Sequence, residues 1–234
     1  MRIFSYQNIF YHFLGIKHID FFTLDQYFNF YYDFMQEKGD IMANLHFHYG
    51  VMGASKSAKL ITTAHDFERT GNKYEVIKPL RDNRDSVDHV VSRLGISVPA
   101  IALKNLAHYK PKSDTQFLLI DEVQFFSATD IDRLVKIADE HDIVVMCYGL
   151  MADSNEHLFP ASKRLVEVGA KLHLLEAVCQ YDGCKKLATH NARFDETGKL
   201  IVRGPQIMVG ALQYESLCRQ HFNMYKKIAQ QKEK

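Results

Sequence analysis

Gly50-Val51-Met52-Gly53-Ala54-Ser55-Lys56-Ser57 decides the fold. A short alternating segment, Leu45 to Tyr49, precedes it, and a helical pattern follows. Strand, glycine-bearing turn and helix in that order make a phosphate cradle: backbone N–H groups curve around phosphate oxygens, and the helix presents its positive end to them. A Walker A loop has Gly, four free positions, then Gly-Lys-Ser/Thr. Here Ser55 takes the place of the second glycine and the rest of the pattern stands. Lys56 is expected on the outer phosphates and Ser57 on Mg²⁺.

Working outward, Leu60, Ile61, Ala64 and Phe67 recur at helical spacing and Gly71 is a natural stop. Tyr74 to Leu80 and Val98 to Leu103 read as strands, and Lys104 to Thr115 as a loop. Arg81-Asp82-Asn83-Arg84-Asp85 is a charged loop, from which an arginine could reach transferring phosphates. Phe117-Leu118-Leu119-Ile120-Asp121-Glu122 reads as a buried strand that delivers two carboxylates at its C-terminal end, where open α/β sheets bind ligands. Asp121 is expected to hold Mg²⁺ as a Walker B acid does, and Glu122 to take a proton from an acceptor. Ser127 to Asp130 form a capping box ahead of a helix striped by Ile131, Leu134, Val135 and Ala138. Ile143 to Cys147 is a further buried strand, with Cys147 as core. The alternation argues an α/β fold, a P-loop three-layer parallel sheet with helices on both faces.

The C-terminal quarter changes character. Cys179, Cys184, Cys218 and His221 offer three thiolates and an imidazole in two close pairs, the donor set of a closed structural Zn²⁺ site. His173 and His190 read as ordinary residues. Ala188 to Phe194, Lys199 to Arg203 and Gly204 to Tyr214 look like short strands and a long loop. A metal at the base of a loop about thirty residues long would hold its ends together, as a small zinc-bearing β-rich lid. From Tyr214 the tail reads as helix, with a basic solvated end at Lys226, Lys227, Lys232 and Lys234.

Composition sets the outer bounds. A net charge of +1 over 234 residues gives no field that asks for nucleic acid, and basic and aromatic residues are not interleaved near the cysteines. Four cysteines, three of them beside histidines, fit metal use in a reducing cytoplasm rather than a disulfide framework. Residues 1–41 are crowded with Phe and Tyr, yet His18, Asp20, Asp25 and Asp33 interrupt every apolar run short of a membrane span. Met42 reads as the native start, with 1–41 a leader whose Glu37 to Asp40 codons suit a ribosome-binding site. The organisation expected is therefore leader 1–41, P-loop nucleotide-binding domain 42–175, and zinc and lid domain 176–234 with a C-terminal helix.

Taken together these residues resemble the thymidine kinases of the cellular, zinc-containing type. The marks are the loop Gly50 to Ser57 with Met52, the loop ending in Arg84, Asp121-Glu122-Val123-Gln124-Phe125, Tyr148-Gly149-Leu150, the Cys/Cys/Cys/His set, and Gly210 with Tyr214. The resemblance implies transfer of the γ-phosphate of ATP to the 5′-hydroxyl of thymidine, with Mg²⁺. It implies catalysis by Glu122, Lys56 and Arg84, and ATP contacts from Gly50, Val51, Met52, Gly53, Ala54, Ser55, Lys56, Ser57, Asp121, Glu122, Val123 and Gln124. It places thymidine against Met52, Phe125, Leu150, Ile207, Met208, Val209, Gly210 and Tyr214. A homotetramer and feedback inhibition by thymidine triphosphate are implied by the resemblance alone. Ser55, Val209 and Ser154 depart from the family's usual glycine, glycine and aromatic residue. They leave open a second reading, a catalytically weakened nucleotide-binding protein with a regulatory role.

Overall fold

Leu45–Tyr49 (β1) is an inner strand of a six-stranded sheet, second from one edge, and every residue in it is buried or nearly so. In this computed structural model the described residues are 44–82, 86–206 and 213–231. The leader 1–41, Met42, Arg84 and the lid positions Ile207, Met208, Val209 and Gly210 lie outside them.

The chain continues through Lys56–Arg69 (α1), Tyr74–Pro79 (β2), His89–Val91 (β3), Ser97–Pro99 (β4), Ile101–Leu103 (β5) and Phe117–Ile120 (β6). Ala128–His141 (α2), Val144–Gly149 (β7), Pro160–Glu167 (α3) and Lys171–Leu174 (β8) complete the larger part. The sheet order is β5-β2-β6-β7-β1-β8, and every pairing in it is parallel. Strand alternation sorts side chains between two faces. Leu45, Phe47, Ile77, Leu118, Ile120, Val145 and Cys147 pack with Ile131, Leu134, Ile137, Ala161 and Leu165 of α2 and α3. The opposite face carries Val76, Leu119, Met146 and Tyr148 towards α1, whose Leu60, Ile61 and Ala64 are fully buried and whose Phe67 stacks on Phe117 at 4.1 Å. Helices thus cover both faces, as the sequence pattern predicts. Each fully buried Leu, Ile or Phe contributes roughly 1.5–3 kcal/mol.

The capping box before α2 forms as expected: Ser127 Oγ accepts from the Asp130 N–H, and Asp130 Oδ2 accepts from the Ser127 N–H at 2.9 Å. Asp130 also accepts from the Leu106 N–H at 2.6 Å, so one carboxylate fixes both the helix start and the 104–115 loop.

Three expectations are corrected. Val98 to Leu103 is two strands in different sheets. β4 pairs antiparallel with β3, and β5 pairs parallel with β2. The change of partner falls at Ala100, whose N–H donates to Asp88 O at the end of the β3–β4 ladder before the chain joins β2. Lys199 to Arg203 forms a single bridge, Leu200 to Phe194, and no strand. The tail is not helical from Tyr214. Gln213–Leu217 (β10) pairs antiparallel with His190–Phe194 (β9), and the last helix, Arg219–Gln231 (α4), begins only beyond Cys218. The ladder to β9 outweighs the weak helical pattern of that stretch, in which Ser216 and Leu217 are buried against the small second core.

Candidate active site and zinc cluster

The loop Gly50–Ser57 leaves β1 at the C-terminal edge of the sheet and is shaped by close packing. A Cβ on Gly50 would sit 2.3 Å from Leu175 O, so only glycine lets the segment after β8 pass there. Ser55 stands at φ 55°, ψ 29°, left-handed backbone that costs an L residue about 1 kcal/mol, and its side chain caps nothing. Lys56 is buried, and its Nζ donates to Val51 O at 2.8 Å and Gly50 O at 3.1 Å.

Two strands away, β6 ends in Asp121 and Glu122. Ser57 Oγ donates to Asp121 Oδ2 at 3.1 Å, joining the loop to the acidic pair. Burial pushes Asp121 up to about 7, with the Glu122 charge adding to the shift and the Ser57 hydroxyl opposing it. Glu122 also holds left-handed backbone, φ 46°, ψ 42°, at the entry to a 3₁₀ turn, Val123–Phe125. Gln124 Nε2 donates to Glu122 Oε2, and Gln124 Oε1 accepts from the Leu150 N–H at 3.0 Å. A buried amide therefore ties the Glu122 carboxylate to the end of β7.

These groups face one cleft of about 640 Å³. Of the residues expected from sequence it gathers Met52, Gly53, Ser55, Lys56, Ser57, Asp121, Glu122, Gln124, Phe125, Leu150 and Tyr214. It does not gather Gly50, Val51, Ala54 or Val123. Ala54 is buried, and Val123 is core, with its Cγ1 against Gly149. Phe125 has the Arg81 guanidinium over its ring at 5.2 Å.

Residues that sequence reasoning missed also border the cleft. Lys78 is 3% exposed and donates to Ser86 O at 2.8 Å and His89 O at 3.1 Å, with Asp82 at 3.5 Å. It pins both ends of the charged loop that carries Arg84. The only sequence signal was a lysine inside an otherwise apolar strand. Asp153 Oδ1 accepts from the Asn155 and His157 N–H groups and shapes the turn that brings Ser154 to the wall. Asn191, Gln180 and Gln206 approach from the C-terminal part. β9 falls within the expected strand Ala188 to Phe194, but its partner β10, which with it brings Asn191 and Tyr214 there, lies in a stretch whose sequence reads as helix.

Cys179, Cys184, Cys218 and His221 bring one ligand atom each within 4.8 Å of one another. Three thiols and an imidazole this close match the donor set and spacing of tetrahedral Zn²⁺. His221 Nδ1 lies 3.5 Å from both Cys179 Sγ and Cys218 Sγ, so Nδ1 is the nitrogen that would face a metal held there. The Cys218 N–H donates to Cys179 Sγ at 3.2 Å, and Tyr181 stacks on His221 at 3.8 Å. The donor set therefore fits the metal. His190 bonds Thr189 and Glu156, away from the cluster. His173 pairs with His46 at 3.0 Å and stacks on His48.

The family description "Thymidine kinase" matches residues 43–222. The chain is 39% identical over 189 residues to the thymidine kinase of Enterobacteria phage T4, covering 78% of this chain and 96% of that one. It is 33% identical over 187 residues to that of Streptococcus gordonii, covering 77% and 96%. For Agrobacterium fabrum the identity is 34% over 189 residues, again covering 77% and 96%. Among solved structures, a Pif1 helicase from Candida albicans superposes at a TM-score of 0.37 and 15% identity, over 62% of this chain and 38% of that one, too slight a likeness to bear on fold or function.

Proposed function

The chain belongs to the thymidine kinase family and phosphorylates thymidine, and from that premise we propose how its residues divide the work. The donor is ATP, whose γ-phosphate passes to the 5′-hydroxyl. Gly50 to Ser57 wrap the phosphates, with Lys56 leaving its loop carbonyls for the outer oxygens. Ser57 and Asp121 would hold Mg²⁺, which would supply charge neutralisation at the phosphates. Glu122 accepts the 5′-hydroxyl proton, and Gln124 orients its carboxylate. Arg84 offsets charge on the transferring group. Thymine rests among Met52, Phe125, Leu150 and Tyr214, beneath a lid that includes Ile207, Met208, Val209 and Gly210. Residues 42–175 then serve the nucleotide and 176–234 the lid, whose base the zinc cluster closes.

The observation that carries this reading is the Ser57–Asp121 hydrogen bond at 3.1 Å, which joins a phosphate loop to a strand-end acidic pair within one cleft. Phosphoryl transfer asks for positioning, charge neutralisation and one base, and that pairing offers all three.

The reading extends to a homotetramer, inhibition by thymidine triphosphate, and a reducing, cytoplasmic setting. The open outer edge of β8, with Leu172 43% and Leu174 56% exposed, is a surface that assembly would cover. The four cysteines are all free thiols. No helix among the described residues is long and apolar enough to cross a membrane.

The test is ATP-dependent thymidine phosphorylation by the wild type and by Glu122→Gln. The substitution is expected to lower kcat by about 10²–10⁴ with thymidine affinity held within a few-fold. Retention of more than a tenth of the wild-type kcat would overturn the assignment of Glu122.

A further inference from the structure

We propose that Asn191 and Ser216 are positioning residues that clamp the phosphate loop at Met52 and make its shape depend on the zinc cluster. This rests on the reading of Gly50 to Ser57 as the loop that binds ATP.

The two residues face each other across the β9–β10 ladder. Both reach the same residue of the loop from the far side of the chain. The Met52 N–H donates to Asn191 Oδ1 at 2.8 Å, and Ser216 Oγ donates to Met52 O at 2.5 Å. Two consecutive peptide planes are thereby fixed. Val51 O, in the first plane, accepts from Lys56 Nζ, while the N–H of that plane is held by Asn191. In the second plane the trans peptide sends the Gly53 N–H away from Ser216. Gly53 lines the cleft, so the clamp sets the direction of a backbone donor at the site where phosphate oxygens are expected.

The clamp is itself held rigidly. Ser216 is 1% and Asn191 7% exposed, and Asn191 Nδ2 also donates to Ala152 O at 3.2 Å. Gln180 grips Ser216 twice: its Oε1 accepts from the Ser216 N–H at 2.6 Å, and its own N–H donates to Ser216 O at 2.9 Å. Gln180 follows Cys179, and Cys218 lies two residues beyond Ser216. A metal joining Cys179 to Cys218 would therefore fix both β10, which carries Ser216, and the segment of Gln180 that grips it. The path avoids the lid residues and holds Met52 through its backbone N–H and carbonyl; the Met52 side chain, expected against thymine, takes no part in the clamp.

The experiment uses full-length, zinc-loaded protein as wild type, Ser216→Ala, Ser216→Thr and Asn191→Ala. Four quantities are read: Kd for a fluorescent ATP analogue with Mg²⁺, KM for ATP, KM for thymidine, and amide hydrogen exchange across residues 50–57. Loss of one buried hydrogen bond to the loop predicts analogue binding weaker by about five- to tenfold in both alanine variants. KM for ATP should rise in parallel, KM for thymidine should stay within twofold, and exchange across 50–57 should quicken. Ser216→Thr, which keeps the hydroxyl, should restore binding. Removing zinc from the wild type should quicken the same exchange. Should Ser216→Ala lose its zinc, Asn191→Ala decides alone. Zinc-replete variants that bind the analogue like the wild type, or that shift both KM values together, would overturn the clamp. Failure of the wild type itself to bind the analogue would instead overturn the reading of the loop.

Discussion

Gly149→Ala tests the route by which Glu122 is held. Gly149 closes β7, and a Cβ built there would lie 2.4 Å from Gln124 Oε1, 2.8 Å from Val123 Cγ1 and 3.2 Å from the Val123 backbone nitrogen. Contacts under 3 Å force a shift, and the neighbours leave little freedom. Val123 is fully buried core and Gln124 is 2% exposed. The movable group is the Gln124 amide, and moving it breaks two bonds at once: the one accepted from the Leu150 N–H and the one donated to Glu122. A hydrogen bond to a charged carboxylate is worth about 1.5–3 kcal/mol, which corresponds to a kcat about 10- to 100-fold lower. Overpacking and the orphaned Leu150 N–H should lower stability by about 1–3 kcal/mol. The assay is steady-state phosphorylation beside urea unfolding, with Gln124→Leu as the comparison. Both variants should lose kcat by similar factors, and their combination should lose little more, since they act on one bond. A Gly149→Ala enzyme with kcat within twofold of wild type would show that the Gln124 amide does not hold the base.

Ser55→Gly should relieve about 1 kcal/mol of left-handed strain while adding about 0.5–1 kcal/mol of unfolded-chain freedom, so stability should barely move. If phosphate contact tightens the same turn, ATP KM should fall or kcat should rise, and no gain in either would show that the loop already accepts serine. The histidines beside the β8 edge set an acid response. Burial pushes His48 down to about 2 and His173 down to about 4, with the other imidazoles, Lys59 and Lys171 adding repulsion. Both stay neutral in the folded chain, whereas the unfolded chain takes up protons below about 6.5. The stability they contribute is thus complete above that pH and is lost as pH falls towards 4. The loss is on the order of 1 kcal/mol per pH unit for each histidine, less where water reaches the ring. Urea unfolding followed by tyrosine fluorescence from pH 7 to 5 should show a shallower slope for His173→Asn than for wild type, and equal slopes would refute the assignment.

Much of this was legible in the chain because periodicity reports burial. The unbroken apolar run at Phe117–Ile120 and the stripe of α1 fit a covered parallel sheet, whereas the alternation at Leu45–Tyr49 marked the strand but not its burial, since His46 and His48 are buried too. The cluster of Cys179, Cys184, Cys218 and His221 was legible because few arrangements other than a metal site use three thiols and an imidazole at such spacing. β10 was not, because a five-residue antiparallel strand with a polar residue such as Ser216 inside it draws stability from a partner distant in sequence. The same holds for Lys78. A lysine in an apolar strand gives no hint that carbonyls at 86 and 89 will surround its ammonium. What sequence misses here is the packing and hydrogen bonding behind the cleft, since these depend on contacts that no local pattern encodes.

Strain points to the same division. Ser55 and Glu122 both hold left-handed backbone without being glycine, and both line the cleft. Such backbone costs on the order of 1–3 kcal/mol per residue and persists only where the surroundings over-determine it. Those surroundings are identifiable. Around Ser55 they are α1, the Lys56 ammonium on two loop carbonyls, and the Asn191 and Ser216 bonds to Met52. Around Glu122 they are the fully buried β6, the core residue Val123, and the Gln124 amide braced on Leu150. The loop is held from the C-terminal part of the chain that carries the Cys/Cys/Cys/His cluster and the acid from the sheet, and the Ser57–Asp121 bond joins the two. Damage to either support should therefore appear in different kinetic constants: loss of the zinc-side clamp in ATP binding, and loss of the Gln124 brace in turnover.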